Sequence, residues 1–261
     1  MAKRPPSSAF DSVAAAFADY GTTVRGYVRY HLTQRNLESY LPATGAVVLD
    51  VGGGSGGDTA WLAGQKHKVT FIEPSGEQRG FAERRFNFFL NDEERNSITM
   101  AGETIDDLAP GVQFDVVLVH AVAQYQENPS AFLKQVMQFV RPGGLISIIE
   151  KGYYGAELRN IRDRNFADLA RLQNTQRSIN NLKQNVYATK PEELSQLLAD
   201  ASFEVLDWSG IRLITDDFDM PVERIPAQQL KLILQAEYEH GHHPAIRGQG
   251  QLLHFIARRA S

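Results

Sequence analysis

The stretch VVLDVGGGSGGDTAWLAG, Val47 to Gly64, constrains this chain more than any other. An apolar run carries one acid, Asp50, and then gives way to five glycines within the six positions 52–57. So dense a run gives up side-chain packing, which is useful where the main chain must turn sharply or let another group come close. The residues after it, DTAWLAGQ, read as a helix with Asp58 near its start, so the glycines join a buried strand (46–51) to a helix.

The same alternation continues. KVTFIEP (68–74) reads as a strand stopped by Pro74, and Ser75 is placed to cap the next helix. SITMAG (97–102) and FDVVLVHAV (114–122) are strands, and a helix capped near Asn128 or Ser130 runs to RPGG (141–144), expected as its end. LISIIEKG (145–152) is a fifth strand. Short apolar strands alternating with helices predict a parallel sheet covered on both faces. Before it, residues 10–41 carry helical spacing broken at YGTT. After it, 153–189 is polar and helical in pattern, 190–203 resumes as a helix, 204–214 as a strand, 226–241 as a helix, and GQLLHFIARRA (250–260) as a last strand. The expected organisation is a tail and helical cap (1–45), a core (46–152), a helical lid insertion (153–189) and the rest of the same domain (190–261).

Gly52, Gly54 and Gly57 satisfy G-x-G-x-x-G, the dinucleotide fingerprint, while Gly52, Gly54 and Gly56 satisfy the looser G-x-G-x-G of methyl donors. Asp50 separates the two. An acid at the strand's carboxyl end repels a pyrophosphate and suits a cationic group such as the α-ammonium of S-adenosylmethionine, although a turn or capping role is also open to it. No Gly-Lys-Ser/Thr follows, so the loop is not that of a nucleoside triphosphatase. Glu73 ends the second strand, where an acid accepts from a ribose diol of either ligand. Glu103, in AGET, is placed to accept from an adenine amino group or to remain a solvated loop side chain.

The ordered set LDVGGGSG, FIEPS, AGET, FDVVLVHAV and RPGGLISI resembles the class I S-adenosylmethionine-dependent methyltransferases. That resemblance implies a Rossmann-like α/β fold with a seven-stranded sheet, helices on both faces and the last strand antiparallel. The flanks FDSVAAAFADYGTTVRGYVR, VHAVAQYQENP, SGIRL and LLHFIARR are similar to the bacterial methyltransferases that esterify the carboxylate of 5-carboxymethoxyuridine in tRNA. Carried over, Arg29 holds the donor's carboxylate, Gly52 and Gly53 line its methionine portion, Glu73 holds the ribose, Gly102 and Glu103 face the adenine, and His120 closes the site. The chain departs from that pattern in having Glu73 for aspartate, Ser55 for an acid, EKGYYG where an Asn-containing turn is expected, and no dense lysine run in the lid. Instead eight basic side chains face three acidic ones across 151–190, a spread-out excess that suits either RNA or a solvated helical face.

A carboxylate acceptor is a nucleophile at neutral pH, so no general base is required. His120 remains a candidate base for a hydroxyl or amine acceptor, or a packing residue. Tyr125, Tyr153 and Tyr154 are candidates to stack on a base or roof the pocket. Arg212 is a candidate bidentate partner for an acceptor carboxylate, or one half of a surface ion pair. His240, His242 and His243 are crowded into EHGHHP, read as a Gly-Pro loop rather than one helix face, and H-E-x-x-H is missing, so no metal is expected. The absence of cysteine excludes a disulfide scaffold and a thiol nucleophile, and the net charge of −4 gives no global attraction to nucleic acid. No apolar run reaches the roughly 18 residues that a membrane helix needs. The expectation is a cytoplasmic enzyme using S-adenosylmethionine, acting on tRNA or a small molecule, with no membrane partner.

Overall fold

The apolar runs of the sequence become the inner strands of one sheet. The computed structural model describes residues 8–180, 182–218 and 220–261, so the tail expected before Ser8 lies outside it. Strands β1 (Val47–Val51), β2 (Lys68–Ile72), β3 (Ile98–Gly102), β4 (Phe114–His120) and β5 (Val140–Lys151) alternate with helices α4 (Gly57–Gly64), α5 (Gly76–Phe89), α6 (Asp92–Asn96) and α7 (Pro129–Met137). Ahead of them lie α1 (Ser8–Asp11), α2 (Ala14–Tyr20) and α3 (Val24–Glu38). After them come α8 (Tyr153–Arg162), α9 (Phe166–Thr175), a hairpin of β6 (Arg177–Ile179) and β7 (Asn185–Tyr187), then α10 (Pro191–Asp200), β8 (Phe203–Ile211), α11 (Ala227–His242) and β9 (Leu252–Arg259).

The sheet has seven strands in the order β3-β2-β1-β4-β5-β9-β8, with β9 antiparallel to both neighbours. The order reverses between β1 and β4, which opens a crevice at the carboxyl ends of those strands. Both faces are covered. Val117, Leu118 and Val119 of β4 are fully buried, and each such side chain contributes about 1.5–3 kcal/mol over leaving it in water. Helix starts follow the capping expectations: the Ser75 hydroxyl accepts from Gln78 N at 3.2 Å, and the Asn128 side chain accepts from Ala131 N at 3.0 Å.

Three local readings need correction. RPGG does not end a helix at a turn; Arg141–Gly144 lie inside β5, whose register against β4 shifts between Phe114 and Val116. The lid is not wholly helical, because its second half is the β6–β7 hairpin. Asp168 of α9 gathers that hairpin, accepting from Ser178 Oγ at 2.6 Å and from Ile179 N at 3.2 Å. The histidine cluster is not a loop, since α11 continues through His242; a Cβ on Gly241 would stand 2.4 Å from Gly210 O, so only glycine lets the helix pass there.

Candidate functional site

The glycine turn after β1 is shaped by what surrounds it. Gly52 has φ +65°, and a Cβ on it would lie 2.8 Å from the Val122 side chain. A Cβ on Gly53 would lie 2.5 Å from the Phe71 ring and 2.6 Å from Asp50 Oδ2. The bare main chain therefore forms the floor of a cavity of about 180 Å³, walled by Arg29, Asp50, Asp58, Glu73 and His120 and roofed by Phe10 and Tyr125. A smaller extension of about 80 Å³ shares Gly52, Pro74 and Val122 with it and reaches Glu103.

Three buried acids serve this cavity differently. Asp50 accepts from Thr59 Oγ1 at 2.6 Å and has no cation bonded to it among the described residues; burial, then the nearby charge of Asp58, pushes its carboxyl up to about 7. Asp58 is also buried, but Arg29 Nη1 at 2.8 Å and His120 Nδ1 at 2.9 Å both donate to its Oδ2. Burial would raise it; Arg29 and His120 overcome that and hold it well below the usual carboxylate range. Glu73 accepts from Ser75 N at 2.8 Å and from Gly54 N at 2.9 Å, so it anchors the glycine turn while each oxygen keeps a further lone pair. Burial pushes its carboxyl up.

A second cavity, of about 440 Å³, adjoins the first and shares Tyr20, Arg29, Ala121 and Tyr125 with it. Its walls carry Arg25, Lys151, Arg159 and Arg212, with Asp19 as the one acid among its lining residues. Arg212 is buried, pairs with Asp216 and donates to the Tyr20 hydroxyl at 3.1 Å. Lys151 is 6% exposed and donates to a neutral amide, Gln251 Oε1, at 2.5 Å. Burial lowers its ammonium to about 7, against the opposing pull of Asp216. The Tyr125 hydroxyl accepts from Asn180 Nδ2 at 3.2 Å, tying the lid hairpin to the roof of both cavities.

The structure thus brings Arg29, Asp50, Gly52, Gly53, Gly54, Glu73, His120 and Tyr125 to one cavity and Arg212 to its neighbour. Glu103 sits at the margin, 3.1 Å from Arg79, and Gly102, at φ +147°, directly precedes it. His120 donates from one ring nitrogen to Asp58, and the other lies 2.8 Å from Ser147 Oγ, so neither faces an acceptor. Tyr153 is elsewhere: it packs with Ala156, Leu172 and Ala188, under the Lys190 ammonium at 4.8 Å, and lines neither cavity. Tyr154 donates to Glu192 at 2.5 Å, also outside. Sequence reading missed Asp58 and Lys151. Asp58 in a first helical turn looks like an ordinary complement to the helix dipole. Lys151 had one signal, a lone base at the end of the apolar run LISIIEKG.

Four of the lid's basic side chains are engaged within the protein, three of them by acids. Arg162 pairs with Asp217 at 2.8 Å, Arg159 with Asp163 and Arg171 with Asp168 at 3.6 Å, and Arg177 donates to the carbonyls of Gln126 and Glu127. Among the described residues no helix is long and apolar enough to cross a membrane.

Residues 49–146 match the methyltransferase domain family. Over nearly its whole length the chain is similar to the tRNA 5-carboxymethoxyuridine methyltransferase of Escherichia coli (strain K12), with 24% identity covering 96% of this chain and 95% of that one. It is 28% identical to the ubiquinone biosynthesis O-methyltransferase of Rhizobium etli over 71% of this chain and 72% of the other. The fold superposes on magnesium protoporphyrin IX methyltransferase from Synechocystis PCC 6803, solved with bound SAH, with a TM-score of 0.60, 14% identity and coverage of 91% and 86%. The glycine floor and the cation-free Asp50 fit an S-adenosylmethionine tail, which brings an ammonium and needs close approach to the main chain. Residues 49–146 are accordingly a methyltransferase domain, carried on the fold that the chain shares with the Synechocystis enzyme.

Proposed function

We propose that the chain esterifies a carboxylate, and that the carboxylate belongs to a modified uridine of tRNA. The observation that carries this reading is the second cavity, where Lys151 and Arg212 lie buried beside the donor site. Cations held out of water are costly unless an anion meets them. Arg212 already has Asp216; Lys151 has a neutral amide, so an acceptor carboxylate completes it. The bound donor supplies a methyl group already activated on a sulfonium. Arg29 takes the donor's carboxylate, Asp50 its ammonium, Glu73 the ribose hydroxyls, and the margin at Gly102 and Glu103 the adenine. Lys151 and Arg212 orient the acceptor oxygen, and Tyr20, Tyr125 and the lid hairpin exclude water from the junction. With a carboxylate acceptor no base is needed, which accords with both nitrogens of His120 being engaged. The tRNA assignment draws on the E. coli relative's name and on the cavity's volume of about 440 Å³, enough for a nucleobase.

A small-molecule carboxylate is the second reading, favoured by the internal pairing of Arg159, Arg162 and Arg171, which reduces the cations left for phosphates. The two separate on one experiment. Transfer RNA bearing 5-carboxymethoxyuridine is incubated with the protein and donor, digested to nucleosides and weighed. The tRNA reading expects one added methylene on that nucleoside; an unchanged mass, with methylation of small aromatic or aliphatic acids, contradicts it.

A further inference from the structure

Behind the first cavity the sheet holds a run of buried polar side chains that methyl transfer does not consume. His120 ends β4, Ser147 lies in β5 and His254 in β9, three neighbouring strands, and Asn36 reaches them from α3. His120 Nε2 is 2.8 Å from Ser147 Oγ, which is 2.9 Å from His254 Nε2. His254 Nδ1 is 3.3 Å from Asn36 Nδ2, and that amide also donates to Ser209 Oγ at 2.9 Å. All of these side chains, with Arg29 and Asp58, are less than 10% exposed.

This chain of bonds can be satisfied in one direction. Asp58 Oδ2 only accepts, so His120 donates to it from Nδ1 and is left with a bare Nε2. That nitrogen accepts from the Ser147 hydroxyl. The hydroxyl oxygen then accepts from His254 Nε2, whose other nitrogen accepts from Asn36. Burial lowers both imidazoles, keeping each neutral as this pattern requires. The run also closes on itself. Arg29 and Asn36 are seven residues apart on α3, about two helical turns, and so share one face. From Arg29 the bonds pass through Asp58, His120, Ser147 and His254 to Asn36, and the helix returns to Arg29.

We propose that Ser147, His254 and Asn36 are positioning residues which, through His120 and Asp58, hold the Arg29 guanidinium at the junction of the two cavities for the donor's carboxylate. This rests on the reading of Arg29 given above. Arg29 gives Nη1 to Asp58 and lines both cavities, so a displacement of the circuit is felt where the methionine tail lies.

Calorimetry with two probes tests it: S-adenosylhomocysteine, and 5′-methylthioadenosine, which lacks the amino-acid tail. His254→Leu weakens S-adenosylhomocysteine about tenfold, the worth of one charge-assisted hydrogen bond, and leaves methylthioadenosine within about twofold. His254→Gln, whose amide N–H replaces the Nε2 donor, restores the tail-bearing ligand. Ser147→Ala repeats the His254→Leu pattern and decides the matter should that variant not fold. In the wild-type protein, nitrogen NMR finds His120 protonated at Nδ1 and bare at Nε2. Equal weakening of both probes, no weakening of either, or the opposite tautomer overturns the proposal. Arg29→Ala separates the two levels. If it leaves S-adenosylhomocysteine binding intact, the reading of Arg29 falls; if it weakens that ligand while Ser147→Ala and His254→Leu do not, only the circuit falls.

Discussion

The two cavities meet at Arg29 and Tyr125, yet they are built on opposite charge and by different means. The donor cavity keeps an acid, Asp50, without a bonded cation among the described residues, and its floor comes from the turns at the carboxyl ends of neighbouring strands, with Arg29 of α3 and Asp58 of α4 completing its walls. The second keeps a base, Lys151, without a bonded acid among the described residues, and draws its walls from α2, α3, the end of β5, the lid hairpin and the turn after β8. The difference teaches how such an enzyme divides its task. A donor common to many reactions is met in large part by backbone turns that short motifs encode, with Arg29 brought in from α3. An acceptor particular to one reaction is met by distant segments that only the finished fold assembles.

The sharpest way to break the comparison is a change that touches one cavity and leaves the other. Arg212→Asn, with asparagine chosen because position 212 has φ +61°, lowers kcat/KM for the acceptor about a hundredfold, since it also strands Asp216 in the interior. The same variant binds S-adenosylhomocysteine with nearly wild-type affinity in calorimetry. The mirror experiment is Asp50→Asn, which weakens S-adenosylmethionine about thirtyfold through loss of one charge-assisted contact. It leaves methylthioadenosine binding unchanged. Loss of both ligands in either variant means the cavities are one site without the proposed division.

Next in size is the response to pH. Asp50 must lose its proton to meet an ammonium, so donor affinity rises as pH passes through about 7. Lys151 must keep its proton to meet a carboxylate, so acceptor affinity falls as pH passes through about 7. Binding curves measured between pH 6 and 8 move in opposite senses, each by up to about tenfold per unit beyond the turning point. Lys151→Met removes the acceptor's slope and keeps the donor's. The smallest effect is expected at Tyr153: Tyr153→Phe changes neither ligand's affinity by more than about twofold, because its ring faces Leu172 and Lys190 away from both cavities.

The same division explains what could be read before the fold was known. The strands were legible because Val116–Val119 is a continuous apolar run and Leu145–Ile149 is one broken only by Ser147, both buried on both faces. Gly52 and Gly53 announced themselves because their neighbours leave no room for a Cβ, which is a property of a single position. The β6–β7 hairpin was hidden because it is gathered by Asp168 of the preceding helix, a contact that no strand pattern records. Asp58 was hidden because its neighbours Arg29 and His120 are 29 and 62 residues away. Lys151 and Arg212 meet across the strand β9 that pairs beside β5 at the end of the chain, a proximity no local pattern records.

The central claim is that a cation-lined cavity delivers a carboxylate to the donor, and the chemistry of the product tests it most directly. The protein is supplied with donor carrying a labelled methyl group and with its acceptor, and the product is exposed to mild alkali. A methyl ester releases the label as methanol, which is the result expected here. A label that survives, fixed on an amine, a ring atom or an ether oxygen, contradicts the account.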